Sequence, residues 1–241
     1  MINIILNVLI FNPLYIFTEF LNRKFSKVKS DYIWHAEDMP WMKELEANHK
    51  VVLNEFNRYR ASLSRLPDLE DLRTSNNKAN FGDGRWGMLY LRINNQKNDL
   101  LSTHFPETVK LLETHVPELF SIRFSLLGGN RKEITPHRDG HNQCIICHLP
   151  LVVPEGECSI TINGVRQPWE EGKCFAFDAS ALHSVTKESD EERLVVLIDT
   201  FRPVPKWVRA LSRFVFNYQV KNAPVKEIFE LHDKALNDAR L

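Results

Sequence analysis

The sequence predicts a mainly β fold with flanking helices, a barrel of the jelly-roll, cupin-like kind, on three observations. Short strand-like runs follow one another closely, with no alternating long helices, which separates the pattern from a parallel α/β sheet. Phe120, Ile122, Phe124 and Leu126 alternate with Ser121, Arg123 and Ser125, the period of a half-buried strand. Asn163-Gly164 separates CSITI from VRQPW, and this dipeptide readily takes the positive φ angles of a two-residue hairpin turn.

The 241 residues suit one domain with appended helices and can bury a substantial core. With 31 basic and 31 acidic side chains, nothing in the charge balance argues for nucleic acid as a partner. Cys144, Cys147, Cys158 and Cys174 all fall inside the expected barrel. Cys144 and Cys147 form CxxC, but positions i and i+3 of a strand face opposite sides, and no second CxxC exists to complete a zinc site. Buried free thiols are expected, as in a reducing compartment.

Met1 to Leu21 is the most apolar run. It has the roughly 20 residues that a bilayer-crossing helix needs, although Asn3, Asn7, Asn12, Pro13 and Glu19 dilute it. Arg23, Lys24, Lys27 and Lys29 follow at once, the pattern of a segment whose C-terminal flank stays cytoplasmic. A basic start and a small-residue cleavage site, the marks of a signal peptide, are not seen. Residues 1–30 are therefore expected to form a membrane anchor with a basic flank, spanning or interfacial, with the following domain on the cytoplasmic side; the alternative is a helix packed on a soluble cytoplasmic protein.

Asp31 to about Leu66 reads as helical, with Trp34, Trp41, Leu45, Val52, Leu53 and Phe56 near one face and Pro40 in a first turn after Asp38. Pro67 to Gly84 is a polar loop leading into a strand from Trp86 to Leu91, and Pro106 to Val116 is a short helix. Trp86 and Arg92 follow that loop and are weak substrate-contact candidates against their commoner roles as core Trp and solvated Arg. Lys173 to Phe177 and Arg193 to Thr200 supply further strands. Pro205 to Val220 is a basic amphipathic helix suited to a membrane surface or to a lid on the barrel, and Val225 to Leu236 is a further packing helix.

Chemistry concentrates between Ser125 and Pro203. His137 and Asp139 are two apart, so in extended chain both project the same way. His183 must arrive from a separate strand and Arg193 from the next. Two His and one carboxylate on one face of a metal leave the opposite face open, the arrangement of a non-haem iron oxygenase. Arg193 offers a planar fork that grips a carboxylate in two-point fashion, which suits an acid co-substrate beside the metal. His141 has the odd offset from His137 and is read as a turn residue; Asp178 is read as ordering the turn before His183.

HRDG, CHLPLVVP, PWEEGKCFAFD, ALH and ERLVVLIDTFRP, in this order and spacing, resemble the aspartyl/asparaginyl β-hydroxylase family. The similarity covers roughly residues 34 to 203 and is dense from Ser125 onward. It implies a double-stranded β-helix over residues 31–203, with residues 204–241 as appended amphipathic helices. It also implies Fe(II), held by His137, Asp139 and His183, with 2-oxoglutarate and dioxygen as co-substrates; decarboxylation of 2-oxoglutarate to succinate and CO2 accompanies hydroxylation. The resemblance further places Arg193 on the 5-carboxylate, with Ser125 and His148 beside the co-substrate; Ser125 fits if one extra residue is allowed in the Gly128-Gly129-Asn130 turn, and an ordinary strand hydroxyl is the alternative. HRD with a C-terminal RP is similar to the lipid A 2-hydroxylase branch, whereas the peptide hydroxylases usually carry Gly where Asp139 stands. Ile146 departs from the family's usual Arg, so one cationic contact is missing, with Asn142, Gln143 or Arg138 as candidate replacements. The substrate implied is a lipid acyl chain at a membrane touched through residues 1–21 and also 205–220, or else an Asp or Asn residue of a peptide or a small amino-acid-like molecule. The rival readings are a non-catalytic binding barrel, favoured only by Ile146, and a cupin-like hydrolase or isomerase with another metal.

Overall fold

The computed structural model describes residues 12–28, 33–72, 83–139, 141–220 and 225–241, so the first part of the apolar N-terminal run lies outside the described residues. In chain order the elements are helix α1 (Asn12–Phe25), strand β1 (Trp34–His35), helix α2 (Met42–Arg60), strands β2 (Trp86–Ile93) and β3 (Gln96–Lys97), helices α3 (Asp99–Ser102) and α4 (Pro106–His115), and strands β4 (Leu119–Leu127) and β5 (Glu133–His137). Strands β6 (Cys144–Val152), β7 (Cys158–Ile162), β8 (Val165–Pro168), β9 (Phe175–Phe177), β10 (His183–Lys187) and β11 (Arg193–Phe201) complete the barrel, followed by helices α5 (Lys206–Val220) and α6 (Val225–Asp238).

All strand pairings are antiparallel and fall into two sheets, ordered β1-β9-β6-β11-β4-β2-β3 and β5-β10-β7-β8. From β4 to β11 the chain steps back and forth between the sheets, with only the β7–β8 hairpin staying on one side. That winding makes the jelly roll that the sequence predicts. Asn163 and Gly164 have φ of 47° and 83°, the geometry of the expected two-residue turn. A second such hairpin, unmarked by glycine, joins β2 to β3 through Asn94 and Asn95, with φ of 48° and 64°.

Period-2 alternation divides the large sheet into two faces. Outward, Phe124, Leu149, Val196 and Ile198 pack on the stripe Met42, Leu45, Val52 and Phe56 of α2. Inward, Leu127, Phe175, Phe177, Val195 and Leu197 meet Ile134, Ile160, Ile162 and Val185 of the small sheet. Each such fully buried side chain contributes roughly 1.5–3 kcal/mol. The four cysteines are buried and unpaired; Cys144 sits with Phe120, Phe201 and Phe216, while Cys147 belongs to the helix-side core. The two thiols of CxxC therefore point to opposite faces of β6, as the strand reading requires.

One expectation shifts. The start of the helix expected from Asp31 lies outside the described residues, and its next part is not helical: Trp34 and His35 form an edge strand on β9, and the Asp38 carboxylate accepts the His35 N–H at 3.1 Å, closing a turn. Pro40 lacks an N–H and disfavours helix in the residue before it, so α2 starts only at Met42.

The N-terminus of α4 has no side-chain cap of its own and takes one from α2. The buried Glu55 carboxylate accepts the N–H of Glu107 (2.9 Å), the N–H of Thr108 (2.8 Å) and the Thr108 hydroxyl (2.7 Å). This meets the orphan donors of a first helical turn with a charge of the favourable sign. Glu55→Ala is expected to lower the unfolding free energy by about 2 kcal/mol in denaturant titration, with Glu55→Gln losing less.

Candidate active site

His137 ends β5 and His183 begins β10, and the antiparallel register sets them directly opposite each other. Their rings lie 4.2 Å apart, centroid to centroid. Asp139 falls two residues past the end of β5, where its N–H donates to Ala179 O at 2.8 Å and so ties it to the turn ahead of His183. One ligand atom from each of His137, Asp139 and His183 lies within 4.8 Å of the others. Each imidazole spends Nδ1 on a backbone carbonyl, Thr135 O at 2.8 Å for His137 and Ala181 O at 2.9 Å for His183. Those carbonyls can only accept, so they assign the proton to Nδ1 and make Nε2 the lone-pair nitrogen of each ring. Burial holds His183 below the usual histidine range, in the neutral form that a metal needs. Two imidazole nitrogens and one carboxylate, with an open side, fit a first-row divalent ion of the non-haem iron type.

Beside this cluster is a cavity of about 270 Å³ lined from both sheets. Arg193 lies at one end of it, 2% exposed, and its hydrogen-bond partner among the described residues is the Ser125 hydroxyl at 3.1 Å. Among the described residues its Nε has no partner and no carboxylate pairs with it; its guanidinium stacks 4.6 Å over the Trp169 ring. Burial pushes its pKa down to about 10. At neutral pH, where it stays protonated, that corresponds to a cost of roughly 3 kcal/mol against a hydrated guanidinium, which an incoming anion would offset. Ser125 Oγ accepts from Arg193 and also from Trp86 Nε1 at 2.9 Å. With both lone pairs engaged, its own proton is left to donate to a ligand. His148 accepts from Trp169 Nε1 at 3.2 Å through Nδ1, so its Nε2 carries the proton. Burial and the nearby Arg193 hold His148 well below the usual range, as a neutral donor on the cavity wall.

Turns carry Asp139 and lead into His183, and one buried ion pair supports both. Asp178 accepts the Ser180 N–H (3.1 Å) and hydroxyl (2.7 Å), ordering the turn before His183. It also pairs with Arg202, both side chains fully buried. Arg202 Nε donates to Asn142 O at 2.7 Å, and its N–H to Gln143 O at 2.8 Å, holding the segment that leaves Asp139.

The other sequence candidates fall as follows. Trp86 lines the cavity, whereas Arg92 pairs with Glu113 outside it. His141 packs 4.6 Å from Phe216, away from the ligand cluster. Ile146 lines the cavity, but Asn142, Gln143 and Arg138 do not. Asn142 is occupied by Glu19 O (3.1 Å) and Asn22 (3.3 Å), and Arg138 by Ser180 O (2.9 Å). The guanidinium that does line the cavity besides Arg193 is Arg123. Arg123 and Trp169 were not singled out from sequence, and Arg202 was read there only as part of the C-terminal RP. Arg123 alone had a readable signal, since it shares the pleat of Ser125 two residues on.

The family model described as aspartyl/asparaginyl beta-hydroxylase matches residues 46–203. The chain belongs to the aspartyl/asparaginyl β-hydroxylase family. A Rhizobium tropici protein described as an ornithine lipid ester-linked acyl 2-hydroxylase is 26% identical over 216 residues, covering 89% of this chain and 76% of that one. The human aspartyl/asparaginyl beta-hydroxylase is 29% identical over 169 residues, 67% of this chain but 21% of its own length. Among solved structures, a Trichoplax adhaerens prolyl hydroxylase aligns with a TM-score of 0.42 at 11% identity, covering 83% of this chain and 94% of that one. Family membership makes the protein an oxygenase-type enzyme among lipid and Asp/Asn hydroxylases.

Removing one member of the Asp178–Arg202 pair leaves a buried charge uncompensated. Arg202→Met is expected to cost about 3–5 kcal/mol in stability, and Arg202→Met with Asp178→Leu much less. Thermal unfolding of the two variants checks the difference.

Proposed function

We propose that this protein is an Fe(II)- and 2-oxoglutarate-dependent hydroxylase that acts on the acyl chain of a lipid at a membrane surface. The observation that carries the co-substrate is Arg193, a buried cation without an anion among the described residues, beside a hydroxyl and an imidazole whose remaining protons are placed to donate. A dicarboxylate entering the cavity would place its distal carboxylate on Arg193 and Ser125, with His148 beside it and its keto-acid end toward the metal. His137, Asp139 and His183 would hold the iron, which supplies the oxidising chemistry when dioxygen binds. The protein's own part is to orient both imidazoles through Nδ1–H, to bury the co-substrate and to present a C–H bond from an apolar wall that includes Met88, Ile134, Ile146 and Phe177.

The lipid class is supported by the Rhizobium tropici relative and by α1 and α5. These helices pack through Leu21, Val204 and Val208, with Asn22 accepting from Ser212 at 2.9 Å. Their outer sides carry Ile16, Phe17, Phe20, Trp207 and Phe214, each half or more exposed, beside exposed Arg23, Lys24 and Lys206. Apolar rings flanked by cations suit an anionic bilayer surface. No helix of the described residues is long and apolar enough to cross a membrane. The face adjoins the site, because Asn142, just after the Asp139 turn, donates to Glu19 O of α1.

Iron and 2-oxoglutarate should together raise the unfolding temperature, and succinate should appear only when both are present; a protein that binds neither would rule the reading out. Arg193→Leu is expected to raise the 2-oxoglutarate requirement about tenfold to a hundredfold in succinate-release assays. A gain of one oxygen mass on lipid extract, rather than on Asp- or Asn-containing peptide, separates the lipid from the peptide substrate. Phe17→Ser with Phe20→Ser is expected to weaken flotation with anionic vesicles while leaving iron and 2-oxoglutarate binding intact.

A further inference from the structure

Across the inner face of the large sheet, the register places side chains in rows. Met88, Ser125 and Val195 form one row; Tyr90, Arg123, Leu197 and His148 form the next, away from Arg193. Asp199 and Ile146 pair in the row beyond, where Phe177 lies opposite Ile146. Phe177 also touches His183, with ring centroids 5.3 Å apart, so these outer rows stand at the level of the metal ligands. The wall facing the ligands beyond the Arg193 end is therefore built on Arg123, its partner Asp199, Tyr90, the neutral His148 and apolar side chains.

The two cavity arginines are not equivalent. Arg193 lacks an acid, whereas Arg123 is ion-paired with Asp199, its one hydrogen-bond partner among the described residues. The pair is mostly buried, at 17% and 19% exposure. Pairing cancels the charge of Arg123 but engages only part of the guanidinium, which carries five N–H donors. Such a group still donates to a neutral carbonyl, yet offers little net attraction to a second carboxylate. Ile146 beside it adds apolar surface in place of a cation.

We propose that Arg123, neutralised by Asp199, is the substrate-recognition donor of this site and selects a neutral ester- or amide-linked acyl group over a free carboxylate. This rests on the hydroxylase reading and narrows its substrate class. The acyl carbonyl would accept from Arg123 while the chain beyond it lies on Met88 and Ile146, which brings the carbon next to the carbonyl toward the ligand cluster. A peptide aspartate or a free fatty acid would bring a second negative charge to a wall whose cation, Arg123, is already matched by Asp199.

The test uses the full chain loaded with Mn(II), a redox-inert stand-in for iron, and 2-oxoglutarate, with lauramide and laurate as probes. Relaxation of probe protons by Mn(II) reads both affinity and which carbon lies nearest the metal. Lauramide should bind at least about tenfold tighter than laurate, with its 2-position protons relaxed most strongly. Asp199→Asn, which frees the charge of Arg123, should move the ratio about tenfold toward laurate. Ile146→Arg, which adds a cation to the same wall directly opposite Asp199, should move it the same way, so the idea stays testable if the first variant does not fold. Arg123→Gln should lose lauramide affinity. Equal binding of the two probes by the unaltered protein, or a ratio that neither charge-altering variant moves, overturns the proposal. If Mn(II) and 2-oxoglutarate bind but neither probe does, this inference fails and the hydroxylase reading stands; if they do not bind, both fail.

Discussion

A single buried ion pair sets the geometry on which the candidate site depends. The strands of the small sheet deliver His137 and His183 by hydrogen-bonded register, but Asp139 sits past the last ladder contact of β5 and must be held by something else. Asp178 and Arg202 supply that restraint, joining the turn before His183 to the segment after Asp139 at the end of β11. Two charges taken wholly out of water are a weak source of net stability. Their use here is positional: a well-packed apolar pair could hold the fold, but it could not also accept from Ser180 and donate to Asn142.

The cavity distributes charge in the opposite manner. Arg193 is buried without an acid among the described residues, and its support is a ring stack on Trp169 and one hydroxyl. The loop before it is braced separately. The buried Lys187 ammonium donates to Gly129 O (3.3 Å), Ser189 O (2.7 Å) and Glu191 O (2.7 Å), and a Cβ on Gly129 would stand 1.9 Å from Asp190 O. Only glycine permits that approach, so the turn closing β4 and the loop opening β11 are locked together and Arg193 enters its strand in one register. An enzyme that must bind an anion gains from keeping the cation unsatisfied until the anion arrives. On the proposed reading it gains equally from neutralising a second cation, since two free guanidinium groups in one cavity would let a dicarboxylate bind in the wrong sense.

Much of this was legible in the sequence, and for identifiable reasons. Alternation along Phe120–Leu127, the Asn163-Gly164 turn and the spacing of HRD, ALH and ERLVV are local patterns, and each reports on the strand that contains it. What was illegible lay in pairings between distant segments. Glu55 capping α4, Trp169 reaching both His148 and Arg193, and Arg202 meeting Asp178 join residues whose separation along the chain carries no periodic signature. The edge strand at Trp34 was hidden for another reason: its aromatic residues fit a helical stripe as well as a strand, and Pro40 decides between them. Arg123 was a different kind of omission, because its phase with Ser125 was in plain view and its polarity made it read as the solvent side of the strand.

Helices α1 and α5 tie the proposed surface reading to the proposed chemistry. Asn22 of α1 accepts from Ser212 of α5 and donates to Asn142 at 3.3 Å, and Asn142 in turn supplies the carbonyl that Arg202 holds. The buried asparagines therefore form a polar bridge from the exposed aromatic face to the segment that follows Asp139. A helix pair anchored only by apolar packing could slide on the barrel; one keyed by amide hydrogen bonds in a buried setting has a single register, because any shift strands a donor and an acceptor at about 1–3 kcal/mol each. On the proposed reading, a bilayer that takes up the aromatic face would meet an active site held at a constant height and angle relative to it. An enzyme that oxidises one defined carbon of a long and otherwise uniform chain needs such a reference, since the chain itself offers few landmarks besides its carbonyl.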